Sequence, residues 1–190
     1  MESPKNMTLW TIRSEKAWHS AKKMGFIWNS TDIEFFLTQY HWMAKQMRER
    51  LNVPTRRIIT FPVWAWAKRP DLRNEKHHYN GRQVLIEFED DKKNVLLSDF
   101  DNWHFVLNTW YFGTQKETNA FEWDRKRAGL EFGVFEQLPW NFRMRMEESW
   151  EKVFDIKKKS LVQATLWDIP LENVKKIVPF IGVLPKSKSF

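Results

Sequence analysis

The sequence predicts a single α+β domain over residues 1–190, with a mixed or split, mainly antiparallel sheet flanked by helices. Two observations lead to this fold class. Segments with the two-residue period of strands and segments with the helical period follow one another in the order β, α, α, β, β, β, α, α, β, without repeats or a dividing linker. The hydrophobic fraction of 42% is enough for a sizeable core in 190 residues.

The first third of the chain is predicted to contain one strand and two helices. Residues 1–6 are interpreted as a flexible extension ahead of a short strand, LWTI, at 9–12. In the SEKAWHSAKKMG segment that follows, Ser14 has the residue type of an N-cap and Gly25 that of a C-terminal cap, so a helix is predicted between them. A second helix is predicted over 31–51, because its apolar residues recur on one helical face.

The middle of the chain is predicted to form three strands. RIITFPVWAWA, at 57–67, has the composition of a strand, and Pro62 inside it is typical of an edge or a bulge. RQVLIEFE and NVLLSDF, at 82–89 and 94–100, are joined by the acidic turn DDKK. This spacing predicts a hairpin.

The last part of the chain combines two helices with a final strand. The period changes at SDFDNWHFVLNTWYF, which predicts a helix capped by Ser98, Asp99 or Asp101. Residues 113–138 give no clear element, and PWNFRMRMEESWEKVFDI is predicted as the second helix. SLVQATLWDI, at 160–169, is the last strong strand, and LENVKKIVPFI is expected to add a helical turn and a short strand.

The composition excludes several kinds of site. Without cysteine there are no disulfides, thiol nucleophiles, thiolate zinc sites or iron–sulfur clusters. The five histidines have no metal-ligand spacing, so no metal is expected, and there is no phosphate-cradling glycine-rich loop. No apolar run approaches the ~18 residues of a membrane span, and the start lacks a signal-peptide pattern. A cytoplasmic protein without a membrane partner is therefore expected.

The charge balance is basic. There are 31 basic and 24 acidic residues, which gives a net charge of +7. A basic surface favours polyanions such as nucleic acids, and the alternative is an ordinary solvated surface with excess lysine.

Two tryptophans in the FPVWAWAKRP segment form the first candidate site. Side chains two residues apart on a strand point to the same face, so Trp64 and Trp66 share a face. The other face carries Val63, Ala65 and Ala67, and it is small enough for close packing of a helix. The indole face either packs on another layer or stacks on a planar ligand such as a base, a nicotinamide or a sugar.

The SDFDNWHFVLN segment forms the second candidate site. An acidic cluster there precedes a helix whose first turn contains Trp103 and His104. One of Asp99 and Asp101 is expected to cap the helix. A neutral His104 beside either carboxylate has the chemistry of a general acid or base. The alternative is a histidine that only hydrogen-bonds its neighbours.

Two further polar residues complete the candidates. Gln163 lies in the otherwise apolar strand VQATLWDIP, where a primary amide needs partners, so it either contacts a ligand or satisfies a neighbouring backbone group. Arg73 in RPDLR directly follows the tryptophan strand, and its guanidinium suits a phosphate or a carboxylate. The alternative for Arg73 is a surface pair with Asp71.

These segments together resemble a bacterial and phage family catalogued as a domain of unknown function. The resemblance rests on LWTI at the start, YHWMAKQM on the second predicted helix, and FPVWAWAKRPDLR, LLSDFDNWHFVLN, ESWEKVFDI and QATLWDIPLENV further along. It covers nearly the whole chain. It implies a single compact domain and no established activity.

A more distant resemblance is to ADP-ribosyltransferase-like domains, which also open with a strand and a helix, here LWTIRS and the helix that ends at Gly25. Their last strand carries an acidic or amide residue, a place that Gln163 takes here. Their first strand usually supplies a histidine or arginine that holds the cofactor. In this chain Thr11 occupies that position, and Arg13 lies two residues further on the same face. The resemblance implies a site for NAD or another nucleotide.

The sequence therefore predicts an aromatic-lined cleft that binds a nucleotide- or NAD-type ligand, and the second resemblance implies ADP-ribosyl transfer. Trp64 or Trp66 is expected to stack on the ligand ring, and Arg13 or Arg73 to hold phosphate. The remaining expected cleft residues are Thr11, Asp99, Trp103, His104 and Gln163, with His104 and Gln163 in catalytic roles. Thr11, Arg13 and Gln163 are expected to converge on one cavity, because the first and last strands are expected to pair near the sheet centre.

Two alternatives to this function stay open at the level of the sequence. One is a nucleic-acid-binding protein without enzymatic activity, which the positive charge and the aromatic residues favour. The other is a phage or host-defence factor that binds a protein partner.

Overall fold

The computed structural model describes residues 5–29, 36–51, 61–73, 81–130 and 134–182. Five α-helices lie in these residues: α1 (Glu15–Met24), α2 (Leu37–Arg50), α3 (Phe100–Leu107), α4 (Gln115–Arg127) and α5 (Trp140–Trp150). Eight strands lie in the same residues: β1 (Asn6–Ser14), β2 (Phe26–Ile27), β3 (Val63–Trp66), β4 (Gly81–Asp91), β5 (Leu96–Asp99), β6 (Val162–Leu166), β7 (Ile169–Pro170) and β8 (Val174–Gly182).

Six of the strands form one sheet in the order β5–β6–β3–β1–β4–β8, and β2 and β7 form a separate two-stranded ladder. Every ladder is antiparallel. The predicted α+β class with a split, mainly antiparallel sheet is confirmed. β1 lies in the middle of the large sheet, between β3 and β4, and it begins at Asn6, within the segment that the sequence predicts as an extension.

The predicted hairpin between β4 and β5 is wrong. β1 pairs along its whole length with β4, β8 pairs with the other edge of β4, and β5 pairs with β6. A short 3-10 turn, Lys92–Asn94, follows β4 and leads to β5, which lies at the opposite edge of the sheet. The acidic turn that suggests a hairpin therefore connects two strands that are not neighbours, because both edges of β4 are occupied by longer ladders.

Each face of the large sheet is covered by its own core. One face carries Leu9, Ala65, Ile86 and Ala164, which pack with residues of α1 and of the β2–β7 ladder. This is the small face of the tryptophan strand, as the sequence predicts. The opposite face packs on α2, α3 and α5 through an aromatic cluster that contains Trp42, Trp103, Phe142 and Trp150.

α4 and β8 are among the elements that differ from the sequence-based prediction. α4 lies in the 113–138 stretch that gives no clear signal, and it buries only Phe121, so its polar sequence shows no apolar periodicity. Its capping box between Thr114 and Glu117 is the local signal that indicates a helix. β8 is a nine-residue edge strand where only a short strand is expected. The start of the predicted 31–51 helix lies outside the described residues, and α2 begins at Leu37.

Within the described part of the chain, the longest helix has 14 residues, and none of the helices there is long and apolar enough to cross a bilayer.

The contact between α2 and α5 includes a carboxylate whose protonation is coupled to folding. Burial raises the pKa of Glu147 above its ordinary value, and Glu49 acts in the same direction, while Lys45 and Arg143 act against it. The folded state therefore holds the Glu147 proton more tightly than the unfolded state. Its contribution to stability falls as pH rises through the interval between the unfolded pKa and the raised folded pKa.

Glu147→Gln is expected to increase the free energy of unfolding at pH 7, because it removes a charge that burial disfavours. The gain should shrink as the pH falls below about 4.3, the ordinary glutamate pKa, where wild-type Glu147 is itself neutral. Urea denaturation at pH 3.5 and pH 7 measures the difference, with the exposed neighbour Glu148→Gln as the control. A Glu147→Gln protein that is less stable than wild type at pH 7 would contradict the expectation.

Candidate functional site

Trp66 of β3 belongs to a row of side chains that crosses the whole sheet, on the face covered by α2, α3 and α5. Antiparallel register partners point to the same face. Trp66 pairs with Trp10 on β1 and with Gln163 on β6. The same row continues to Ser98 on one side and to Glu87 on the other.

The two indoles of β3 differ in their surroundings. The Trp64 ring lies 4.8 Å from the Trp103 ring and 5.7 Å from the Tyr40 ring, so it is part of the aromatic cluster under α2 and α3. The Trp66 ring contacts Phe100, with 4.9 Å between the centroids. Neither indole is fully enclosed. Trp64 therefore packs mainly as core, and Trp66 lies beside Trp10, whose Nε1 donates to Glu87 Oε2 at 3.1 Å.

The expected convergence of Thr11, Arg13 and Gln163 does not occur. Gln163 shares its face with Trp10, while Thr11 and Arg13 alternate with Trp10 along β1 and therefore point to the opposite face. Gln163 is buried, and its Nε2 donates to Ser98 Oγ at 3.1 Å. Thr11 is also buried, and its hydroxyl donates to the carbonyl oxygen of Trp64. The expectation fails because β3 separates the first strand from β6.

The acidic segment before α3 is used for capping. The Asp99 side chain accepts from the backbone N–H of Asn102 at 3.0 Å, as expected for an N-cap, and it also accepts from the Ser160 hydroxyl. His104 is exposed, and its Nδ1 lies 3.0 Å from the carbonyl oxygen of Phe100. These contacts match the alternative in which His104 hydrogen-bonds only its neighbours.

Arg73 forms the surface pair with Asp71 that the sequence offers as the alternative to ligand binding. Its guanidinium donates to both carboxylate oxygens of Asp71, with Nη2 to Oδ2 at 2.7 Å. The hydrogen bond raises the pKa of Arg73, and its side chain is 90% exposed. This arrangement is a surface ion pair on the loop after β3.

Arg13, one of the predicted site residues, lines a cavity. The α1 pocket, about 320 Å³, lies where β1 turns into α1 and where β2 follows it. Its lining residues are Arg13, Ser14, Lys16, Ala17, Ser20, Ala21, Ile27 and Trp28. The described lining residues thus include two cationic side chains, two serines and one tryptophan.

The shape of the α1 pocket follows from the caps of α1. Ser14 ends β1 and caps the helix, with its Oγ accepting from Ala17 N at 3.1 Å. Gly25 ends the helix with a left-handed φ of 81°, and its N–H donates to Ala21 O. The chain then turns back along the helix, so that Trp28, just after β2, lines the same cavity as Arg13.

The Arg13 side chain hydrogen-bonds to an asparagine that follows β2. Its Nη1 donates to Asn29 Oδ1 at 2.7 Å, and Asn29 Nδ2 donates to the carbonyl oxygen of Pro62 at 2.6 Å. Asn29 thereby connects β1 to the segment just before β3.

The sequence-based prediction misses Lys16, Trp28 and Asn29. The signal for Lys16 is in RSEK, where an arginine at the end of a strand is followed by a lysine in the first turn of a helix. The signal for Trp28 and Asn29 is their place after the helix cap Gly25, because a chain that reverses at a glycine runs back beside the helix.

A second pocket, about 310 Å³, has the opposite charge. This acidic pocket includes Glu89, Asp90, Asp91, Asp168 and Glu172 among its lining residues. The buried Asp90 carboxylate accepts from Asn94 Nδ2 at 2.7 Å and from Asn173 Nδ2 at 2.9 Å, so it ties together the turns around β4 and β8. A hydrogen bond from the Lys93 backbone lowers the pKa of Asp91. An anionic ligand would be repelled from this pocket. Within the described residues, no group of three or more histidine or acidic side chains could hold a metal ion.

Comparison with known proteins gives one finding on the family. The model of a family described as "Domain of unknown function (DUF3841)" matches residues 8–175, which include all the residues of both pockets except Asn6. No significant match was found among curated proteins or among solved structures.

Proposed function

The chain belongs to the DUF3841 family, and we propose that it binds a phosphate-bearing, nucleotide-type small molecule in the α1 pocket. The observation that carries the proposal is that Arg13, Lys16 and Trp28 line one cavity. A guanidinium and an ammonium suit a phosphate group, and an indole offers a surface for a base or a nicotinamide.

The size and electrostatics of the α1 pocket support this ligand class. Its volume of about 320 Å³ is at the lower end of the range for ligand sites, so it suits a mononucleotide or one half of a dinucleotide such as NAD. The acid nearest in sequence, Glu15, does not line the pocket, and its carboxylate lies 3.8 Å from the Arg82 guanidinium. Among the described residues, no carboxylate lines the α1 pocket, in contrast to the acidic pocket.

The proposed function is ligand binding, and ADP-ribosyl transfer is not part of it. In an ADP-ribosyltransferase-like site the amide of Gln163 would face the ligand. Here Gln163 lies on the opposite face of the sheet from Arg13. NAD therefore enters the proposal as a candidate ligand, beside AMP and ADP.

A thermal-shift screen with AMP, ADP and NAD tests the proposal. A ligand at 100 times its dissociation constant should stabilise the protein by about 2.7 kcal/mol. Lys16→Gln should weaken binding, whereas Lys22→Gln should not, because both are exposed lysines on α1 and only Lys16 lines the pocket. Arg13→Gln should weaken it further.

Two outcomes would overturn the proposal. One is that none of the three ligands shifts the melting temperature. The other is that Lys16→Gln and Lys22→Gln change the affinity equally. Binding of single-stranded oligonucleotides that falls steeply with salt and is unchanged in Arg13→Gln would favour the nucleic-acid alternative instead.

A further inference from the structure

We propose that the chain has a second binding surface, which contacts the phosphate backbone of double-stranded DNA. This surface, the basic patch, consists of five cationic side chains from two segments: Lys68 and Arg69 follow β3, and Lys157, Lys158 and Lys159 precede β6. It lies apart from the α1 pocket, so the inference goes beyond the proposed function and does not rest on it.

A backbone hydrogen bond brings the two segments together. The N–H of Ala67 donates to the carbonyl oxygen of Val162 at 3.1 Å, so the chain that leaves β3 runs beside the chain that enters β6. Lys68 and Arg69 are the next two residues after Ala67. They therefore lie next to the segment that leads into β6.

The three lysines of the other segment are held in a turn just ahead of β6. The N–H of Ser160 donates to the carbonyl oxygen of Lys157 at 3.0 Å, and the N–H of Lys157 donates to Ser160 Oγ at 3.0 Å. The Ser160 hydroxyl also donates to the Asp99 carboxylate at the end of β5. The turn is thereby fixed at the same end of the sheet as Lys68 and Arg69.

The positive charge of the basic patch is not neutralised within the described residues. All five side chains are exposed, and none of them forms an ion pair with another described residue. Among the acids of the adjoining segments, Asp71 is paired with Arg73 and Asp99 caps α3. Asp101 and Asp155 are exposed. The patch therefore keeps an excess of positive charge.

The basic patch and the α1 pocket lie toward opposite ends of β1. β3 runs antiparallel to β1, with Trp66 opposite Trp10, so the residues that follow Trp66 lie toward the N-terminal end of β1. The α1 pocket lies at the C-terminal end, around Arg13 and Ser14. A polyanion on the basic patch is therefore a different ligand from the one proposed for the pocket.

The chemistry of the two segments favours a duplex as the partner. Flexible lysines act as point charges that suit phosphate oxygens, and a duplex carries one negative charge per about 1.7 Å of its axis. A single strand carries about half of that charge per length and is commonly held by aromatic stacking. The exposed apolar side chains of these segments, Ile156 and Leu161, are aliphatic, and with only 39% and 37% exposed they offer little surface for insertion into a lipid bilayer.

Fluorescence anisotropy with a labelled DNA duplex of about 20 base pairs tests the proposal. The logarithm of the affinity should fall linearly with the logarithm of the salt concentration, with a slope of about −4.5 if all five cations contact phosphates. Lys68→Gln with Arg69→Gln should make this slope shallower by about 2 and weaken binding by about tenfold at about 100 mM salt. Lys158→Gln with Lys159→Gln should have the same effect.

Lys22→Gln with Lys23→Gln is the matched control. It removes two charges from exposed lysines at the end of α1, so its net charge equals that of the other double variants, and it should keep the wild-type slope. Circular dichroism shows whether each variant is folded, which these exposed substitutions should leave unchanged.

Three outcomes would overturn the proposal. The first is that the wild-type protein does not bind the duplex at about 50 mM salt. The second is that the control weakens binding as much as the two basic-patch variants, which would show that only the net charge matters. The third is that a single strand of the same length, or vesicles containing phosphatidylserine, bind more tightly than the duplex and are weakened by the same two variants.

Discussion

Trp150→Ala is expected to lower the free energy of unfolding by about 3–5 kcal/mol. Trp150 is fully buried on α5, and its ring stacks on Phe135 with 5.2 Å between the centroids and meets Trp42 edge-on at 5.6 Å. Its Nε1 also donates to the carbonyl oxygen of Trp110 at 2.8 Å. The substitution removes a large side chain from the centre of the helical core and leaves that carbonyl without its donor.

Trp140→Ala is the matched control for this experiment. It changes the same residue type on the same helix, but Trp140 is 69% exposed, so its loss should be within about 0.5 kcal/mol. Urea denaturation followed by far-UV circular dichroism measures both variants. Similar stabilities of the two variants would show that Trp150 is not at the centre of the helical core.

Ile86→Ala is expected to lower the free energy of unfolding by about 2–5 kcal/mol. Ile86 is fully buried in the core on the other face of the sheet, on β4 between β1 and β8. Alanine there leaves a cavity beneath α1 that the neighbouring strands cannot close, because both edges of β4 are paired.

Ile177→Ala on β8 is the control for Ile86→Ala. The two isoleucines are register partners on the same face, but Ile177 is on the edge strand and 39% exposed, so its loss should be much smaller. The double variant Trp150→Ala with Ile86→Ala should lose the sum of the two effects, because the sheet separates the two cores. A larger effect for Ile177→Ala than for Ile86→Ala would contradict this description of the core.

The fold could be predicted from the sequence where one face of an element is apolar and the other is not. The Val63 and Ala65 face of β3, the Met43 and Met47 face of α2 and the Ser14 cap of α1 are all observed. Local sequence patterns do not show which strands pair with each other. The β4–β5 hairpin prediction failed for this reason, since short spacing favours a hairpin only when no longer ladder competes for the same edge.

The candidate site was harder to predict than the fold. Arg13 lines the α1 pocket, while Asp99 caps a helix and Arg73 forms an ion pair with Asp71. A strand shows which residues share its own face, and the faces of distant strands can be related only once their register is known. Gln163 and Thr11 could not be assigned to opposite faces before Trp66 was seen to pair with both Trp10 and Gln163.

The position of β1 in the middle of the sheet has a consequence for how the chain acquires its structure. Every ladder of the six-stranded sheet joins segments that are distant in sequence, and Trp10 with Trp66 is the least separated pair among them. Such high contact order requires large loops to close before any strand pairing is rewarded, which makes folding slow. On the ribosome, β1 emerges with both of its edges open and stays so until β3 and β4 have been synthesised. During this interval the nascent chain exposes the unpaired edges of β1 and apolar side chains such as Leu9 and Trp10, and chaperones that shield such segments are expected to bind there.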